Sequence, residues 1–125
     1  MPKILVVDDN QGIADVLEQY LGAKGMEVIK AIGGEKALEI VGSDTTIDLM
    51  VVDMKMAKVS GIDVIKRAKE LGKQFPILLL TGTIEIGDYL KQLENFNFKE
   101  DDILHKPVDL PELVKKIKAK LKSLK

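Results

Sequence analysis

The sequence predicts a doubly wound α/β domain: one parallel five-stranded sheet with helices on both faces. Two observations predict it. Five short apolar runs alternate with five segments in which apolar residues recur at helical spacing. Strands joined by helical crossovers run parallel, and right-handed crossovers place helices on both faces of the sheet. The chain has 125 residues, enough for one domain of this kind, so we expect residues 1–125 to form a single domain.

The first half of the chain supplies three strands and two helices. The predicted strands cover residues 4–7, 26–32 and 47–52. The predicted helices cover residues 13–21 and 35–41. Asn10 is the expected N-cap of the first helix, and Gly22 or Gly25 is expected to end it. The third strand carries an uninterrupted apolar run over residues 49–52, which indicates burial on both of its faces.

The second half repeats this alternation. The predicted strands cover residues 77–80 and 102–105. The predicted helices cover residues 62–71, 86–93 and 110–124. Pro76 precedes the fourth strand, where its missing N–H does least harm to the pairing of the sheet. The fifth strand is less apolar than the others, so we expect it at an edge of the sheet. Asp109, Pro111 and Glu112 open the last helix as N-cap, first-turn proline and acidic third residue.

Composition excludes several classes of function. Nineteen Lys and Arg against twenty Asp and Glu give a net charge of −1, so the chain lacks the excess positive charge that non-specific nucleic-acid binding requires. Cysteine is absent and His105 is the single histidine, which excludes disulfide scaffolds, thiolate zinc sites and paired-histidine catalysis. No apolar run reaches the roughly 18 residues of a membrane helix. We therefore expect a cytoplasmic protein without direct nucleic-acid or membrane contact.

Polar residues follow four of the five predicted strands. Asp8 and Asp9 follow the first, Asp53 the third, Thr81 the fourth and Lys106 the fifth. An open parallel sheet places all four strand ends at one edge. Three carboxylates there would repel one another unless a cation lay among them, and hard oxygen ligands suit Mg²⁺. Because a hydroxyl and an ammonium add donors, the pattern indicates a metal-assisted phosphoryl site with Asp53 as nucleophile.

In chain order, these motifs resemble the receiver domain of two-component response regulators over the whole length of the sequence. The matching features are the acidic pair Asp8-Asp9, Asp53 with Gly61 eight residues later, Thr81-Gly82, and Lys106-Pro107. Each dipeptide alone is weak, but all of them in this order and spacing are specific. The resemblance implies a flavodoxin-like sheet with strand order 2-1-3-4-5 and a cis peptide bond in the Lys-Pro pair.

The resemblance also implies a chemistry. Asp53 would accept a phosphoryl group from a phosphohistidine of a sensor histidine kinase or a histidine phosphotransfer protein. Mg²⁺, or Mn²⁺ in its place, would be held by Asp9, Asp53 and the backbone carbonyl of Lys55, with Asp8 supporting the metal through water. Lys106 would pair with Asp53 and then with the phosphoryl oxygens.

The family is one of signalling switches rather than turnover enzymes. The resemblance implies that the Thr81 hydroxyl bonds the phosphoryl group and tilts the surface of the fourth helix, fifth strand and fifth helix between two states. A downstream effector protein or domain would read that surface, which is also where a homodimer could form. Gly82 and Pro107 belong to this switch region, and Lys55 and Thr83 are placed to modulate the lifetime of the phosphoryl group.

Three features depart from the family pattern. Ile103 stands where Tyr or Phe is usual, so a ring-based readout cannot operate at that position. Ala57 replaces the usual Pro four residues after the phosphoacceptor, which predicts a less rigid loop. The segment 95–101 is a few residues longer than usual and adds Phe96 and Phe98. We expect these rings to replace part of the missing aromatic switch or to contact a partner.

Two other functions compete with the phosphorylatable switch. A phosphatase or phosphotransferase with an Asp nucleophile needs a second acidic residue two positions later, and that position is Lys55. A receiver-like interaction module that signals without phosphorylation is the alternative that Ile103 keeps open. The complete set of site residues argues against that module.

Overall fold

The computed structural model describes residues 1–82, 90–95 and 98–122, in which five strands alternate with five α-helices. The strands are β1 (Lys3–Asp8), β2 (Glu27–Ile32), β3 (Leu49–Asp53), β4 (Ile77–Thr81) and β5 (Ile103–His105). The helices are α1 (Gln11–Ala23), α2 (Gly34–Val41), α3 (Gly61–Glu70), α4 (Leu90–Asn95) and α5 (Leu110–Lys122). Within these ranges, no helix combines the length and apolarity that a bilayer crossing needs.

All five strands pair in parallel in the order β2-β1-β3-β4-β5, which confirms the predicted topology and places β5 at an edge. Every residue of β3 and of β4 is buried, as expected for central strands covered on both faces. In the register of the sheet, Asp53 lies opposite Leu80 and Thr81 lies opposite His105. The carboxyl ends of the central strands therefore meet at one edge.

The core consists of two layers, one on each face of the sheet. Successive residues of a strand point to opposite faces, and β1 shows this directly: Leu5 packs in one layer and Ile4 in the other. The first layer lies under α2 and α3 and also includes Leu93 of α4. The second lies under α1 and α5, with Leu21 and Leu113 fully buried in it. This division is the double winding that the crossovers predict.

The predicted helix caps at Asn10 and Asp109 are confirmed. The Asn10 side chain accepts a hydrogen bond from the Ile13 N–H at 3.1 Å, and Asp109 accepts one from the Glu112 N–H at 3.2 Å. Helix α1 ends just before Gly25, whose φ of 87° suits glycine.

Some predicted boundaries are shifted. Helix α3 begins at Gly61 itself, because Ser60 is its N-cap in a reciprocal capping box with Asp63. The third strand begins at Leu49 rather than at residue 47. The fifth strand begins one residue later than predicted because Asp102 belongs to a 3-10 turn, in which its carboxylate accepts a hydrogen bond from the Lys99 N–H at 2.9 Å. The first part of the predicted fourth helix, residues 86–89, lies outside the described residues.

Candidate functional site

The carboxyl edge of the sheet brings the predicted site residues together. Asp8 is the last residue of β1, Asp53 the last of β3 and Thr81 the last of β4, while Lys106 directly follows β5. Carboxylate oxygens of Asp8, Asp9 and Asp53 all lie within 4.8 Å of one another. The convergence that parallel strands impose has therefore placed three acidic groups in one small volume.

Lys106 provides the positive charge of this cluster. Its Nζ lies 2.9 Å from Oδ2 of Asp53 and 3.8 Å from Oδ2 of Asp8. The backbone N–H of Lys106 donates to the Thr81 carbonyl at 2.7 Å, which fixes the start of the side chain beside β4. Because the Asp53 side chain is only 7% exposed, this ion pair is shielded from water and depends on its hydrogen-bond geometry.

Asp8 is the most buried acidic group of the site, with 1% of its surface exposed. Its Oδ1 accepts a hydrogen bond from the Asn10 N–H at 2.9 Å, whereas its Oδ2 is buried without a hydrogen-bond partner among the described residues. Burial raises the pKa of Asp8, and the nearby Asp53 carboxylate raises it further, against the lowering by the Asn10 N–H. A buried carboxylate oxygen without a hydrogen bond is costly, and the Lys106 ammonium at 3.8 Å is too distant to supply one, so this atom is well suited to an electropositive ligand.

Two backbone amides of the loop after β3 complete the acidic cluster. The Lys55 N–H lies 3.4 Å from Oδ1 of Asp53, and the Ala57 N–H donates to Oδ2 of Asp9 at 3.3 Å. Asp9, unlike the other two aspartates, is exposed. Mg²⁺ prefers oxygen ligands and is usually bound by one or two carboxylates together with waters and phosphate oxygens, so the cluster of Asp8, Asp9 and Asp53 fits this ion. The Lys55 carbonyl as a further ligand stays a prediction.

Gly61 lets helix α3 begin directly behind the Asp53 backbone. Its N–H donates to the Met54 carbonyl at 2.9 Å. A Cβ on Gly61 would lie 2.9 Å from Cα of Met54 and still closer to the Asp53 carbonyl oxygen. Real side chains do not approach main-chain atoms so closely, so only glycine fits here without moving the loop that follows Asp53.

The predicted switch residues are placed as follows. Thr81 is buried, and the Lys106–Pro107 peptide bond is cis, as the resemblance implies. A Cβ on Gly82 would meet Lys106 at an ordinary 3.5 Å, so space alone does not require glycine there. The predictions for Thr83 and Phe96 concern residues outside the described part of the chain.

Phe98 is described and packs against the core layer that also contacts Ile103, the position of the missing aromatic ring. Its side chain is half-buried and packs against the same core layer as Ile103 and Leu93. Its N–H donates to the Leu93 carbonyl at 3.0 Å, which ties the segment before β5 to the end of α4. The extra segment therefore brings one aromatic ring to the layer that contains Ile103.

The Ala57–Asp9 contact was not predicted from the sequence. The signal was present: alanine in place of the family's usual proline supplies an N–H that proline lacks. The contact spans 48 positions along the chain, so local patterns could not show where that N–H would point.

Replacing Asp8 by Asn tests the charge balance of the site. We expect Asp8→Asn to raise the free energy of unfolding in EDTA at neutral pH by about 1 kcal/mol, because it removes a buried charge that faces two other carboxylates. The pKa of Asp8 is raised in the folded state. Above that pKa the charged carboxylate therefore lowers the free energy of unfolding, and this loss disappears as the pH falls through the pKa and Asp8 becomes protonated. The difference in free energy of unfolding between Asp8→Asn and the wild type should therefore become smaller at acidic pH. Urea unfolding across pH measures it.

The matched control is Asp44→Asn, at an exposed carboxylate away from the site. It should change stability by less than about 0.5 kcal/mol at any pH. Added Mg²⁺ should stabilise the wild-type protein much more than Asp8→Asn. Equal stability of Asp8→Asn and wild type in EDTA at neutral pH would contradict the charge balance described above.

Comparison with known proteins points to the same family that the sequence motifs resemble. A family model for the response regulator receiver domain matches residues 4–118. The transcriptional regulatory protein CpxR of Escherichia coli strain K12 is 37% identical over 122 residues, which cover 98% of this chain and 50% of the relative. The alkaline phosphatase synthesis transcriptional regulatory protein PhoP of Bacillus subtilis strain 168 is 38% identical over 120 residues, covering 96% and 48%. The chain thus spans about half the length of these curated relatives.

Solved structures agree with the observed fold. A response regulator receiver domain protein from Clostridium thermocellum superposes with a TM-score of 0.87 at 28% identity, covering 98% of this chain and 96% of that one. The response regulator TrrA from Thermotoga maritima, solved in complex with Mg²⁺ and BeF, superposes with a TM-score of 0.79 at 31% identity, covering 96% and 99%. This chain therefore belongs to the receiver-domain family of two-component response regulators.

Proposed function

We propose that this chain is a phosphoacceptor switch in which Asp53 receives a phosphoryl group from a phosphohistidine. The observation that carries the proposal is the buried Asp53 carboxylate, paired with Lys106 at 2.9 Å and set among two further carboxylates. The similar TrrA structure contains Mg²⁺ and BeF, and beryllofluoride is a tetrahedral phosphoryl analogue. That complex supports a magnesium-dependent phosphoryl site in this chain too.

The proposed step is one phosphoryl transfer. A carboxylate oxygen of Asp53 attacks phosphorus as the N–P bond to the donor imidazole breaks, and the released ring nitrogen takes a proton from solvent. Asp9, Asp53 and the Lys55 carbonyl would hold Mg²⁺, with Asp8 supporting the ion through water, and the bound ion would compensate the charge of the carboxylates and the phosphoryl oxygens. Lys106 holds Asp53 before transfer and binds a phosphoryl oxygen afterwards.

The response to phosphorylation is proposed to start at Thr81 and Lys106. Phosphorylation replaces the Asp53 carboxylate, of charge −1, by an acyl phosphate of charge roughly −1.5 to −2. It therefore adds up to about one negative charge at the end of β3 and gives both residues a new partner. Thr81 lies on β4 next to β5, so a change there reaches Ile103 and the ring of Phe98 through the sheet and its core layer. Gly82 and Pro107 lie in the connections that would adjust, and Thr83, outside the described residues, stays a predicted modulator of the lifetime of the phosphoryl group. The readout surface is then α4, β5 and α5.

The partners follow from this chemistry. The relatives are named transcriptional regulators, and this chain covers only about half of them. We therefore propose a sensor histidine kinase or a histidine phosphotransfer protein as donor, and an effector protein or domain, or a second copy of the chain, as the reader of the switched surface. The chain would act in the cytoplasm as a single domain of residues 1–125, assisting only its own phosphorylation and dephosphorylation.

The test is to incubate the protein with acetyl phosphate and Mg²⁺ and to weigh it intact. We expect a gain of one phosphoryl group that requires Mg²⁺ and disappears slowly after the donor is removed. No gain with acetyl phosphate, phosphoramidate or a phosphorylated histidine protein would overturn the proposal in favour of an interaction module. Rapid turnover of varied phosphoesters without a stable adduct would overturn it in favour of an enzyme.

Phe98→Ala tests whether the extra aromatic ring takes part in the switch. We expect the amide chemical-shift changes that beryllofluoride causes in β5 and α5 to fall to about half, because the core layer beside Ile103 loses a ring. Phe75→Ala is the matched control, since Phe75 is a half-buried phenylalanine of the same layer and precedes β4. Undiminished shift changes in Phe98→Ala, or an equal loss in Phe75→Ala, would contradict this role.

A further inference from the structure

The turn after β3 carries a strained backbone. Lys58 has a φ of 66°, in the left-handed region that a lysine rarely occupies. The N–H of Val59 donates to the carbonyl of Ala57 at 2.7 Å, which closes a three-residue turn around Lys58. Turns of this hydrogen-bonding pattern with a positive central φ are rare and strained. Such strain persists only where the surrounding structure holds it in place.

One side of this turn is fixed by the first residue of α2. Gly34 is buried against Val59, and a Cβ on Gly34 would lie 2.6 Å from both Cβ and the carbonyl oxygen of Val59. One of those atoms belongs to the main chain, so a side chain at position 34 must displace the backbone of the turn. An exposed ion pair between Lys58 and Glu35 at 3.7 Å adds a weak second link between the turn and α2.

The other side of the turn holds Asp9. The Ala57 N–H donates to Oδ2 of Asp9, the one exposed carboxylate of the acidic cluster. An exposed aspartate would otherwise sample several rotamers. A contiguous series of contacts thus runs from Gly34 through Val59 and Ala57 to Asp9.

We propose that Gly34 is a positioning residue for the magnesium site, acting through the turn at residues 57–59 to orient the Asp9 carboxylate. Gly34 touches neither the metal nor the phosphoryl group. Its missing side chain allows α2 to pack directly against the turn, and the amide of Ala57 then holds Asp9 towards Asp8 and Asp53. This inference rests on the proposed magnesium site and assigns it a supporting residue on α2.

The test compares Gly34→Ala with two controls. Gly22→Ala adds the same methyl group to a helical glycine that has nothing within 4 Å of its Cβ position. Leu113→Ala destabilises the opposite core layer, under α1 and α5, without touching the turn. Hydrogen exchange of the Ala57 amide in EDTA and calorimetric titration with Mg²⁺ are measured on the full chain under conditions in which every variant is folded.

We expect Gly34→Ala to lose protection of the Ala57 amide and to bind Mg²⁺ about tenfold more weakly, as is typical when support for a metal ligand is lost. Both controls should keep the wild-type values. Wild-type protection and wild-type affinity in Gly34→Ala would overturn the inference, as would an equal loss of affinity in Leu113→Ala. If Gly34→Ala does not fold, Val59→Ala replaces it, and weaker Mg²⁺ binding than in Gly22→Ala is expected.

The two proposals fail in different ways. A wild-type protein that binds no Mg²⁺ contradicts the proposed function. In that case exchange of the Ala57 amide alone decides whether Gly34 positions the turn. A wild-type protein that binds Mg²⁺ while Gly34→Ala binds it equally well leaves the proposed function intact and refutes only the role of Gly34.

Discussion

Asp53→Asn is expected to take up no phosphoryl group from acetyl phosphate in the presence of Mg²⁺. The amide has nearly the shape of the carboxylate but is a far poorer nucleophile, so the rate of uptake should fall by more than about 10³-fold. The variant should remain folded, because the substitution keeps the volume of a buried side chain. Intact mass spectrometry over time measures the uptake.

Asp44→Asn serves as the control for this variant as well, because it removes one negative charge at an exposed position. It should take up the phosphoryl group at the wild-type rate. Uptake at the wild-type rate by Asp53→Asn would place the acceptor elsewhere and contradict the proposed role of Asp53.

Gly61→Ala is expected to lower the free energy of unfolding by about 1–3 kcal/mol, a cost typical of forcing extra volume into a packed site together with backbone displacement. The added Cβ would collide with main-chain atoms of Asp53 and Met54, which cannot move aside as a flexible side chain can. Helix propensity works in the opposite direction, because alanine is favoured over glycine by about 1 kcal/mol. Urea unfolding in EDTA measures the net change.

Gly22→Ala separates these two effects. Its Cβ would enter open space on α1, so helix propensity acts alone and the variant should gain about 0.5–1 kcal/mol. Wild-type stability of Gly61→Ala would show that the close approach of α3 to the backbone of Asp53 does not require glycine at position 61. Because the displaced backbone carries Asp53, a folded Gly61→Ala should also accept phosphoryl groups more slowly.

The fold could be predicted because its determinants are local and periodic. Each element can be recognised within its own short segment of sequence, from an apolar run such as residues 49–52 or from a cap residue such as Asn10 or Asp109. The boundary of β5 could not be read in this way. The side chain of Asp102 bonds the Lys99 N–H and extends a 3-10 turn, which competes with the strand for the same residue.

The candidate site was predictable to the extent that topology determines it. Asp53 and Lys106 are 53 positions apart, yet both follow parallel strands, so their proximity could be expected from strand order. The missing hydrogen bond at Oδ2 of Asp8 and the packing of Gly34 against Val59 could not be predicted. They depend on loop conformation to within about an ångström, which no residue pattern specifies.

Locating the phosphoryl group on the chain tests directly whether Asp53 is the phosphoacceptor. After treatment with acetyl phosphate and Mg²⁺, borohydride reduction converts an aspartyl phosphate into homoserine, which peptide mass spectrometry can assign to one residue. We expect homoserine at position 53 and nowhere else, and none when Mg²⁺ is withheld. Homoserine at position 8 or 9, or a phosphoryl group that survives on a hydroxyl such as that of Thr81, would contradict the assignment of Asp53 as the phosphoacceptor.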